Sequence, residues 1–207
     1  RLPVEIRPYQ PEDRDRVAHI CLMTGNSGKG SIGRHADDDL LPSIWAFPYV
    51  DYAPEWAWVV EGDEGAVGYV LAVPDLAQFR KWWQEVWVPR MHARFPEETR
   101  ALWPTGDQRR FNKAVAAKSP LPPWYEESPA ELHINLLPEA QGQGWGRALT
   151  DTLFAKLSEE NVPGLALSVG GDNPGAIGFY DHLGFDVAST DYYEDGTLRR
   201  KVMVRKA

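Results

Sequence analysis

The clearest chemical signal in the sequence is Gln141-Gly142-Gln143-Gly144-Trp145-Gly146. An alternating stretch, Glu131 to Leu137, precedes it, and a helical pattern from about Gly144 to Glu160 follows. A strand, a glycine-rich turn and a helix in that order make an anion site. The first N–H groups of a helix lack intrahelical acceptors, and the helix dipole favours negative charge there. Glycine lets the backbone approach phosphate with no Cβ in the way. Arg147 adds a cation in the first turn. The glycines at 142, 144 and 146 are spaced by twos, so the dinucleotide pattern Gly-x-Gly-x-x-Gly fails. A second glycine-rich stretch, Gly25 to Gly33, contains Gly28-Lys29-Gly30-Ser31. Gly30 stands where the Walker pattern needs Ser or Thr. That stretch is therefore expected to be a mobile loop beside a cleft.

Groups able to move protons are fewer. Glu131, His133 and Asn135 alternate with Leu132, Ile134 and Leu136, so they share the polar face of one strand. His133 has a suitable ordinary pKa, about 6.5, but also fits a half-buried strand residue. Asp172 follows the apolar run Gly164 to Val169. Two roles are open to it: a base, or the N-cap of the next helix. Cys21 follows Val17 and Ile20 on one helix face and reads as a buried small hydrophobe rather than a nucleophile.

These residues need a frame. Val4 to Arg7 alternates as a first strand, and a helix starting behind Pro11 carries Val17, Ile20, Cys21 and Met23 or Thr24 on one face. Trp56–Glu61 and Ala66–Val73, joined by Gly62 to Gly65, form a hairpin. Between residues 75 and 128 lies a long excursion. Its first part places Phe79, Trp82, Trp83, Val86 and Trp87 at helical spacing, as a packing stripe that Pro89 must end or kink. The prolines beyond it predict short helices. Pro174 to Leu183 reads as a helix with Gly184 just past its end. The stretches 185–189 and 198–204 close the sheet.

Composition bounds the rest. The 207 residues predict one domain, 1–207, with the helical insertion 75–128. Nine tryptophans imply aromatic core layers and an aromatic-lined cleft. A formal net charge of −8 argues against a nucleic-acid partner and favours a cationic second substrate such as an amine. The single cysteine allows no internal disulfide, and a reducing, cytoplasmic setting is expected. No apolar run reaches the roughly 20 residues of a membrane span, so no membrane partner is expected. The chain opens on Arg1 rather than Met, as expected of a trimmed chain or a piece of a longer protein. No metal site is expected, and the chain is expected to be a monomer or a homodimer.

The motifs also carry a resemblance. Gln-x-x-Gly-x-Gly at Gln141, Gly144 and Gly146 resembles the acetyl-CoA loop of the GNAT N-acetyltransferases. Asn173-Pro174-x-Ala176-x-x-Phe179-Tyr180-x-x-x-Gly184-Phe185 resembles that family's second motif. Ala66 to Leu71, Val88 to Met91 and Phe179 to Gly184 also resemble the C-terminal acetyltransferase-like domain of animal O-GlcNAcase. The resemblance covers essentially the whole chain. It implies an α/β GNAT fold, a mixed sheet of about seven strands flanked by helices, whose fourth and fifth strands splay apart, with the helical insertion between the third and fourth. It implies acetyl-CoA in that gap and an amine acceptor, a small molecule or a peptide. The cofactor contacts would be Leu136 and Leu137 on the pantetheine arm, then Gln141, Gly142, Gln143, Gly144, Trp145, Gly146 and Arg147 on the pyrophosphate. Asn173, Ala176 and Phe179 would line the arm. Tyr180 would serve as the acid for the leaving thiolate, and Asp172 as the base. The O-GlcNAcase-like relatives carry carboxylates at two strand ends. Asn135 stands at the second of these and cannot accept a proton at neutral pH. A binding module without turnover is the alternative that this departure implies.

Overall fold

Seven strands form one mixed sheet in the computed structural model, which describes residues 5–25 and 28–207. Val4, and Asn26 and Ser27 of the second glycine-rich stretch, lie outside the described residues. The strands are β1 (Glu5–Pro8), β2 (Ala57–Gly62), β3 (Gly65–Val73), β4 (Ala130–Leu136), β5 (Gly164–Gly170), β6 (Asp186–Tyr192) and β7 (Leu198–Lys206). They stand in the order β1-β2-β3-β4-β5-β7-β6, and every neighbouring pair is antiparallel except β4 and β5. Strand β2 starts at Ala57 because Trp56 belongs to a 3-10 turn opened by Pro54.

Helices cover both faces. Helix α1 (Arg14–Thr24) buries Val17, Ile20, Cys21 and Leu22 against β3 and β4. Leu22 takes the place expected for Met23, which is exposed. Helices α2 (Leu40–Trp45) and α3 (Phe47–Tyr52) share that face of the sheet with α1. The opposite face is covered by α8 (Trp145–Glu159), which buries Leu149, Leu153, Phe154 and Leu157. Helix α9 (Pro174–His182) joins α8 through Phe179, which meets Gly146.

Between β3 and β4 come α4 (Leu76–Trp82), α5 (Val88–Arg94), α6 (Glu97–Arg100) and α7 (Thr105–Val115). Pro89 does not end the helix. Trp83–Trp87 form a π turn, and Pro89 then falls in the first turn of α5. A first-turn position has no i−4 bond to lose, and the wider π turn absorbs the mismatch. The tryptophan stripe packs as expected: Trp82 stacks on Phe79 and on Trp87, with centroids 6.0 and 5.8 Å apart. Trp82 and Trp83 touch two apolar clusters, the main sheet core and a second one built on Leu40, Trp87, Met91, Phe95 and Phe111. No helix among the described residues is long and apolar enough to cross a membrane.

Candidate active site

The site begins where the sheet opens. Strands β4 and β5 pair only at Ala130↔Leu165 and Glu131↔Ala166 and then diverge. The β3–β4 ladder fixes which backbone groups face the opening. Leu137 donates its amide to Val67 at 2.8 Å. Antiparallel pairing alternates, so Asn135 and His133 also turn their backbone groups to β3, while Ile134 and Leu136 turn theirs to the fork. The Leu136 carbonyl accepts from Gln141 Nε2 at 3.0 Å. Of the two residues expected to meet a linear ligand, Leu136 therefore faces the gap. Both backbone groups of Leu137 are used within the chain, its carbonyl by Ala140 N–H.

The glycine loop follows directly. Gly142 and Gly144 hold φ values of 71° and 85°, a region costly for any residue with a Cβ, and Gly144 is the N-cap of α8. No side chain caps that helix, so the first amides of α8 stay open to an anion. Gln143 is tied to the Glu139 carbonyl at 2.8 Å. Gly146 has a different task. A Cβ there would sit 2.8 Å from the Phe179 ring, so this glycine lets α9 close on α8. Phe179 and Ala176 are half-buried beside it.

At the end of β5 the cap assignment changes. Asn173, not Asp172, caps α9: its Oδ1 accepts from Ala176 N–H at 3.2 Å. Asp172 is exposed in the loop before that cap. Tyr180 is buried against Phe179 and Phe185, and burial pushes its hydroxyl pKa up. It stays a proton donor at neutral pH.

The polar face of β4 looks toward α1–α3. His133 Nε2 and the Tyr49 hydroxyl share a 2.8 Å hydrogen bond, and burial pushes His133 down to about 4. Asn135 Nδ2 donates to the Tyr69 hydroxyl at 3.0 Å. Burial raises the Glu131 carboxyl above its ordinary value, opposed by Lys118, Arg80 and Tyr49. Cys21 is buried, with its thiol pushed up to about 12 by burial, as its helix face predicts.

Two cavities border this face and meet at Trp45. One, of about 520 Å³, is lined by His133, Asn135, Cys21, Arg34 and Arg110, and by Gly25 and Ser31 of the second glycine-rich stretch. Asp107 anchors its wall: it accepts from His35 Nδ1 at 2.7 Å and from Ala36 N–H at 2.9 Å. The other, of about 430 Å³, is lined by Glu131, Arg80, Lys118, Arg200 and several aromatic rings. Tyr49, Tyr69, Arg80, Lys118 and Arg200 did not stand out in the sequence. They come from five separate segments with no shared spacing, so only the fold gathers them.

The pattern of the Acetyltransferase (GNAT) family matches residues 33–185. The solved structure of a protein called SsHAT is 32% identical, with a TM-score of 0.79, covering 100% of this chain and 98% of that one. Protein O-GlcNAcase of Rattus norvegicus is 22% identical over 198 residues, 90% of this chain. The matched part is 20% of that relative, so this chain spans about a fifth of its length. A phosphinothricin acetyltransferase from Sinorhizobium meliloti, solved in complex with acetyl-CoA, shares the fold at 15% identity. Its TM-score is 0.55, with 99% of this chain and 89% of that one covered.

Proposed function

The chain belongs to the acetyltransferase (GNAT) family, and from that premise we propose that it transfers acetyl from acetyl-CoA to a primary amine by direct attack. Acetyl-CoA is the usual cosubstrate of the family. The observation that carries the reading is the β4–β5 fork with the uncapped α8 N-terminus beside it. The fork presents the strand-edge groups of Ile134 and Leu136 to an amide-bearing arm, the Leu136 carbonyl already taken by Gln141 Nε2. The loop from Gln141 to Arg147 supplies amides for a pyrophosphate. When bound, acetyl-CoA supplies an activated acyl group on sulfur. Tyr180, held protonated, donates to the leaving sulfur, and a carboxylate, Glu131 or Asp172, takes a proton from the amine. Asn173, Ala176 and Phe179 line the arm beside α9. In this reading the whole chain acts as one acetyltransferase unit.

Calorimetric titration with acetyl-CoA tests the premise. Clear binding that Gly144→Glu abolishes is expected, because the variant sets a negative charge and a strained φ at the phosphate amides. Absence of binding to the unaltered protein would sink the proposal. Thiol release with a panel of amines then tests turnover. Tyr180→Phe should lower the rate at least about 100-fold, the low end of a general-acid contribution. A second reading, acetyl-CoA binding without turnover, is favoured by Asn135, an amide already held by Tyr69. Binding with no thiol release from any amine in the panel would select it.

A further inference from the structure

The two cavities on the polar face of β4 differ in the strands that line them. The 430 Å³ cavity is lined by both β4 and β5, through Ala130, Glu131, Ala166 and Ser168. Glu131 and Ala166 are the last paired positions before the strands part. The cavity thus sits over the apex of the fork. Its neighbour touches β4 alone. The other face of the sheet is closed by α8 and α9. The 430 Å³ cavity thus borders both strands where they begin to part, and its size suits a small molecule that approaches the fork from there.

The charges lining it are unusual for so acidic a chain. Three cations, Arg80, Lys118 and Arg200, face one carboxylate, Glu131. Arg200 is already paired with Asp191 at 2.6 Å. Arg80 makes one bond, to the Pro120 carbonyl at 3.3 Å, and neither Arg80 nor Lys118 has an ion pair among the described residues. Both act on Glu131 through space. A simple cationic amine would meet this pair of charges unfavourably. A molecule carrying an anionic group beside its amine would satisfy them.

We propose that this cavity binds the acceptor, and that the acceptor is an amino acid with an apolar or aromatic side chain. This rests on the acetyltransferase reading. The ammonium lies at Glu131, the carboxylate at Arg80 and Lys118, and the side chain against Tyr49, Phe79 and Trp83. One nitrogen proton passes to Glu131 and on to solvent. An N–C bond forms to the acetyl carbon and the C–S bond breaks. The sulfur takes its proton from Tyr180, which recovers the second nitrogen proton. The products are an N-acetyl amino acid and free CoA.

The test separates this proposal from the reading beneath it. N-acetyl-L-phenylalanine and its carboxamide are titrated into the protein with saturating CoA, following the tryptophan indole N–H signals by NMR. The carboxylate should bind at least about tenfold tighter than the amide, the scale of one charged contact. The preference should vanish in Arg80→Met/Lys118→Met and return in Arg80→Lys/Lys118→Arg, with acetyl-CoA affinity unchanged throughout. Thiol release should favour phenylalanine over phenylalaninamide in the same way. Equal affinity for the two probes, binding of neither, or a preference that survives the double Met variant overturns the proposal. Failure of the unaltered protein to bind acetyl-CoA overturns the acetyltransferase reading instead.

Discussion

Glu131 and Asp172 compete for one role from opposite environments. Glu131 lines the fork cavity, where burial raises its carboxyl pKa against the pull of Lys118, Arg80 and Tyr49. Asp172 is exposed just past β5, and Asn173 rather than Asp172 caps α9. The pH dependence of kcat separates them. If Glu131 takes the proton, the rate climbs with pH through a midpoint above the ordinary carboxylate range. Glu131→Gln then removes that limb and about 100-fold of rate. A loss confined to Asp172→Asn, with the limb kept in Glu131→Gln, assigns the role to Asp172. Residue types alone marked Glu131, His133 and Asp172 as candidates. Their ranking depends on solvent exposure, which spacing does not encode.

At the scale of elements, the strand–turn–helix unit around Gly144 was legible because each part has its own local signature: alternation, glycine, then helical periodicity. The division of labour among its glycines was not. Gly142 and Gly144 serve the backbone turn, whereas Gly146 serves contact between α8 and α9. Gly146→Ala should therefore push Phe179 away and cost about 1–3 kcal/mol, the scale of overpacking. Its melting temperature should fall, with a matched loss at Phe179→Leu largely rescued in the double variant. An unchanged melting temperature for Gly146→Ala would contradict the packing role. The excursion between β3 and β4 shows the same limit. Its aromatic stripe predicted a helix, and Pro89 predicted its end or a kink. The π turn at Trp83–Trp87 carries the helix past the proline, and the stripe stays packed through Trp82 and Trp87.

Over the whole molecule, one buried imidazole couples stability to pH. His133 is held neutral, pushed from 6.5 to about 4 by burial. The folded state thus binds fewer protons than the unfolded one between those values. Stability is fully present above about pH 6.5 and falls as the pH drops toward about 4, by at most about 3 kcal/mol. Denaturant titrations of the unaltered protein and of His133→Gln should converge at low pH, and parallel curves would count against it. The sequence by itself determined most of the strands, helices α1, α8 and α9 and the anion loop, since each rests on neighbours in the chain, and the mixed sheet came with the resemblance its motifs carry. The tertiary structure decided what no local pattern holds: the width of the fork, which face of the sheet stays open, and the gathering of Arg80, Lys118 and Glu131 from distant segments. Their meeting depends on how the insertion helices dock on the sheet, and that is fixed by packing across the whole core.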